Sequence, residues 1–132
     1  HDDVTSMSGV PTWTLVLLKR ILEITGKQTI KEVWPNLELY LHGGVSFTPY
    51  KEQFKQLIGS DISFLNVYNA SEGFFAAQTS FEDDGMLLFL DHGIFYEFMP
   101  IEEYGQPEPR TIGLNDVEID KNYALVISTN GG

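Results

Sequence analysis

The residues between Thr12 and Thr25 carry more apolar surface than a water-facing helix can leave uncovered. Trp13, Leu17, Ile21 and Ile24 recur at helical spacing, and Leu15, Leu18 and Leu22 widen the stripe. A band this wide predicts a helix lying against a sheet or between other elements. Ser8 is placed to cap it, Pro11 suits its first turn, and Gly26 suits a left-handed stop. A helical turn follows over Thr29 to Val33, ending before Trp34-Pro35. Leu37 to Leu41 alternates like a strand and stops at His42-Gly43-Gly44. Pro49 then opens a second amphipathic helix, with Phe54, Leu57 and Ile58 on its buried side and Gly59 closing it.

Beyond this point strands dominate. Ile62 to Tyr68 and Phe74 to Thr79 read as strands, followed by a turn at Glu82-Asp83-Asp84-Gly85 and a strand from Met86 to Leu90. His92-Gly93 predicts a tight turn into Ile94 to Met99, which makes a hairpin with Met86 to Leu90. Glu103 to Arg110, with a glycine and two prolines, reads as a surface loop, and Tyr123 to Ser128 is the final strand. The expected fold is α/β (α+β): a mixed sheet flanked by helices over residues 1–69, leading into a β-rich, barrel-like part over 70–132.

Charge divides the chain in the same way. Residues 1–69 hold 6 basic and 7 acidic side chains, a net of −1, and residues 70–132 hold 2 and 12, a net of −10. An acidic half of that size repels phosphate backbones and anionic headgroups, so nucleic-acid and membrane-surface partners are not expected. Apolar runs such as Leu15 to Leu18 are far below the roughly 20 residues of a membrane span. With no cysteine there is no disulfide, thiol nucleophile or cysteine metal site, which suits a cytoplasmic setting. The three histidines, His1, His42 and His92, are scattered and do not suggest a transition-metal site.

Two loops carry groups suited to ligand chemistry. Tyr68-Asn69-Ala70-Ser71-Glu72-Gly73 follows a strand directly, at the carboxyl end where α/β sheets bind ligands. An aromatic ring can stack on a base, a hydroxyl can donate to phosphate, and a carboxylate can hold Mg²⁺. The plain alternative is a polar turn between strands. His42-Gly43-Gly44-Val45-Ser46 also follows a strand, and paired glycines there let a ligand approach free backbone amides. Its plain alternative is a simple connection from strand to helix.

Together these loops resemble the acyl-adenylating enzymes, whose tyrosine-x-x-serine/threonine-glutamate motif matches Tyr68 to Glu72. Within that superfamily the chain is similar to the Gretchen-Hagen-three (GH3) family of acyl-acid amido synthetases, particularly its bacterial members. The matching stretches are Ser8 to Trp13, Val33 to Leu37, Leu41 to Phe47, Tyr68 to Phe75, Gly93 to Phe98 and Ala124 to Gly132. The resemblance implies ATP and Mg²⁺ as cofactors, and a small-molecule acyl acid and an amino acid as substrates. It implies that Tyr68 lies against adenine with Asn69 beside it, that Ser71 touches phosphate, and that Glu72 supports the metal. Gly43, Gly44 and Val45 would line the adenine and acyl pockets, with Trp13 and Val10 as further acyl-pocket candidates. Asn69 and Ala70 depart from the small residues common in plant members.

The resemblance also implies an internal fragment. A serine/glycine/threonine-rich phosphate loop, a ribose-binding aspartate and a catalytic lysine have no counterpart in these residues, and Asn130-Gly131-Gly132 reads as a cut through a loop. The expected piece is inactive alone, with apolar surface open to self-association. Two other readings remain. One is a non-catalytic structural or interaction module. The other is an α/β-hydrolase using Ser71, with Asp91-His92 as its partners, although Asn69 stands where that elbow needs glycine.

Overall fold

The structure is a computed structural model describing residues 3–130; features assigned to His1, Asp2, Gly131 and Gly132 lie outside the described residues. The chain forms two compact units, divided between Leu88 and Phe89. In the first, a five-stranded mixed sheet holds β1 (Ser6–Gly9), β2 (Leu39–His42), β3 (Ser63–Ala70), β4 (Gly73–Gln78) and β5 (Met86–Leu88), adjacent in that order. The first three strands are parallel, and β4 and β5 are antiparallel additions. Parallel strands need crossovers, which here contain α1 (Pro11–Thr25) and α2 (Lys51–Ile58).

One core holds this unit together. Leu15 and Leu18 of α1, Phe54 and Ile58 of α2, Ile30, Leu37, Phe47 and Tyr40 of β2 form a single buried cluster. Tyr40 stacks on Phe54 with ring centroids 4.8 Å apart and meets Phe47 and Phe64 edge-on or nearly so. Its hydroxyl donates to the Gly9 carbonyl oxygen at 2.7 Å and lies 3.1 Å from the Thr14 hydroxyl. That satisfies a polar group in an otherwise apolar interior.

The boundaries of α1 and its left-handed stop at Gly26 (φ 67°) match expectation, but the cap does not. Ser8 sits inside β1, a strand too short and too polar to stand out in the sequence, and Val10 occupies the cap position without a side-chain bond. The buried stripe is also rotated. Pro11, Thr14, Leu15 and Leu18 face the core, whereas Trp13 (75% exposed), Leu17 and Ile24 face outward. The sheet covers about one side of a helix that is apolar nearly all round, and periodicity alone does not say which side.

The second unit contains β6 (Phe95–Pro100) and β7 (Tyr123–Ser128), paired antiparallel over six residues. Ile112 bridges to Phe98 from the long connection, which includes the expected surface loop. This unit is a two-stranded sheet and not a barrel. The expected hairpin across His92-Gly93 is absent as well. Among the described residues β5 pairs with β4 and β6 pairs with β7. Strand propensity locates these strands but carries no information about their partners.

The core cluster predicts a sharp contrast. Phe54→Ala should cost about 3–5 kcal/mol in denaturant unfolding through lost transfer energy and a cavity. Trp13→Ala should stay within about 0.5 kcal/mol of the parent, because its side chain is mostly in water.

Candidate functional site

The parallel pairing dictates where the candidate loops lie. β1, β2 and β3 run in register, Gly9 beside His42 and His42 beside Asn66, so their carboxyl ends share one edge. β1 and β2 stop there, at Gly9 and His42, while β3 continues to Ala70. Tyr68, Asn69 and Ala70 therefore belong to the strand and do not follow it. Ser71 and Glu72 form the two-residue turn of a β3–β4 hairpin, and the register shifts between Tyr68 and Asn69. The motif is carried on an arm projecting past the ends of the neighbouring strands.

The glycine loop lies against the base of this arm. A Cβ on Gly43 would collide with the Val67 carbonyl oxygen, one residue before Tyr68, so only glycine allows this approach. Gly44 takes the left-handed conformation at φ 80°, and a Cβ there would be 3.4 Å from a Val10 methyl. Gly43 is thus brought beside Val67 of β3, and Gly44 beside Val10 at the start of α1. Val10 and Val45 are partly exposed here, whereas Trp13 projects from α1 into solvent.

The tip of the arm is open. Tyr68 is 42% exposed and leans edge-on against Phe75 at 5.1 Å, leaving ring surface free for stacking. Asn69, Ala70, Ser71 and Glu72 are exposed. Among the described residues no group of three or more His, Cys, Asp or Glu could hold a metal ion.

His42 is the site residue to which sequence reasoning assigns no role. It is 6% exposed, and its ring stacks on Phe47 at 4.1 Å and 20°, closing the loop that contains Gly43, Gly44 and Val45. Its Nδ1 is buried without a hydrogen-bond partner. Burial, reinforced by Lys51, holds its pKa below the ordinary imidazole value. The only sequence signal is its place on the inward side of β2, two residues from Tyr40.

The hydrolase alternative fails on geometry. Its elbow needs a helix after the serine, and Ser71 is followed by β4.

Comparison with protein families agrees with the sequence resemblance. Residues 2–62 match the GH3 family N-terminal domain, and residues 87–132 match the GH3 family central domain. The chain belongs to the GH3 family of acyl-acid amido synthetases. Gly43, Gly44 and Val45 fall inside the first match, and the hairpin arm falls between the two.

Because the folded state disfavours protonated His42, the unfolded state takes up the proton more readily as pH falls. Stability contributed by neutral His42 is complete above the unfolded value near 6.5 and declines below it. His42→Phe keeps the stack and should flatten this decline in unfolding curves measured from pH 8 down to pH 5. An unchanged slope would show that another group sets it.

Proposed function

We propose that the carboxyl ends of β1, β2 and β3, with the Tyr68–Glu72 arm, form part of the nucleotide face of an ATP-dependent acyl-acid amido synthetase. The observation supporting this most directly is the convergence of the two motif loops at one strand edge, where Gly43 abuts Val67 at the root of the arm. In this reading Tyr68 presents its free ring surface to adenine, beside Asn69. The glycine loop lines the opposite wall through backbone groups, and Val45 with Val10 adds apolar surface for the acyl group. Ser71 Oγ donates to a phosphate oxygen.

Glu72 suits Mg²⁺ that arrives with ATP. Such ions commonly take one or two protein carboxylates and fill the remaining positions with phosphate oxygens and water. In the intact enzyme an oxygen of the acyl acid's carboxylate attacks the α-phosphorus, and the bond to pyrophosphate breaks. The amino acid's amine then attacks the acyl carbon, loses a proton, and AMP leaves with the bonding electrons. Positioning and charge compensation supply most of such a barrier reduction. The phosphate loop and lysine implied by the resemblance have no counterpart in this sequence, so the chain is read as binding nucleotide without turning it over. A cytoplasmic location fits ATP as substrate.

Calorimetric titration of the chain with ATP and Mg²⁺ tests this reading. Weak binding is expected, reduced about tenfold in both Tyr68→Ala and Glu72→Ala, equivalent to about 1.4 kcal/mol. Equal affinity in all three proteins would place the nucleotide elsewhere.

A further inference from the structure

A second recess lies in the first unit. It is a cleft of about 670 Å³ between α2 and the segment joining β4 to β5, within the usual size range of small-molecule sites. It reaches His42 but none of the residues from Tyr68 to Glu72.

Its walls carry opposed charges. Lys51 and Lys55, one turn apart on α2, line the cleft, as do Ser46 and Thr48 a few residues before them. Asp61 and Asp84 line the cleft as well. None of these four charged side chains forms an ion pair within 4.0 Å among the described residues. Ammonium and hydroxyl donors grouped this way suit a phosphate, for which lysine acts as a mobile point charge. Carboxylates that lack ion pairs accept hydrogen bonds from ligand hydroxyls. Phe47 and Phe81 add apolar wall.

The rim is built in advance. Gln78, buried in β4, donates from Nε2 to the carbonyls of Ser80 and Asp83 at 2.8 Å each. Its Oε1 accepts from the Asn66 amide at 2.9 Å, and Asp83 Oδ1 accepts from the Gly85 amide. One side chain thus fixes the segment bearing Phe81 and Asp84 to β3, which limits the ordering a ligand must impose.

We infer that this cleft is a second small-molecule site, taking a hydroxyl-bearing phosphate monoester. The phosphate sits against Lys51, Lys55, Ser46 and Thr48, and the hydroxylated body faces Asp61 and Asp84. His42 borders both this cleft and the glycine loop, so an occupant lies next to the residue that closes that loop.

The test is titration of the chain with glycerol 1-phosphate, inorganic phosphate and acetate, read by calorimetry and by ³¹P line broadening for the phosphates. Glycerol 1-phosphate should bind at about millimolar Kd, tighter than inorganic phosphate, with acetate weaker than both. Lys51→Met with Lys55→Met should weaken it about tenfold or more, with unfolding curves confirming that the fold survives. Tyr68→Ala should leave it unchanged, which separates this site from the proposed nucleotide face. Absence of binding, affinity unchanged in the lysine variant, or acetate binding as tightly would each overturn the inference.

Discussion

Tyr40 is the residue around which the first unit is organised. Its ring sits at the centre of the core, stacked on Phe54 and bordered by Phe47 and Phe64, so it links β2 to α2 and β3. Its hydroxyl reaches out of that apolar setting to the last residue of β1 and lies beside the Thr14 hydroxyl in the first turns of α1. A buried phenol without partners would cost a few kcal/mol, and the junction of strand and helix supplies them. Packing and polar satisfaction together fix how β1 ends and where α1 begins, which is also where Val10 meets the glycine loop.

From that anchor the candidate site follows by strand length. β2 cannot continue beside β3, because Gly43 is pressed on the Val67 carbonyl and Gly44 turns the chain at positive φ. The stack of His42 on Phe47 then returns the loop to the core. β3 meets no such stop and runs on into the hairpin arm. The stagger sets a backbone-lined wall beside an exposed aromatic ring and a carboxylate, the contrast on which the proposed nucleotide face rests. The lysine-bearing cleft shares His42 with this wall, so one buried imidazole borders both.

Much of this is legible in the amino-acid order. Pro11, Gly26, Pro49 and Gly59 mark helix ends through local backbone preferences, which act over a few residues and need no partner. Tyr68, Ser71 and Glu72 stand out through side-chain chemistry and family resemblance. The expectations that fail all concern relations between distant segments. Periodicity puts Trp13, Leu17 and Ile24 on the covered side of α1, but that helix is apolar on both sides and its contacts decide. Ser8 looks like a cap because nothing in Ser6–Gly9 announces a strand; it becomes one by pairing with β2. The strands on either side of His92-Gly93 look like a hairpin because adjacency is the usual guide, yet each pairs elsewhere.

The element types, the helix stops, the uneven charge and the chemical character of the two loops follow from the amino-acid sequence without reference to any long-range contact. They rest on single residues or short patterns, whose energetics are local. The common edge of three strands and the approach of Gly43 to Val67 come instead from tertiary packing. So do the burial of His42 and the cleft that Lys51 and Lys55 share with Asp61 and Asp84. Those outcomes depend on register and burial, which arise when segments far apart in sequence compete for the same partners.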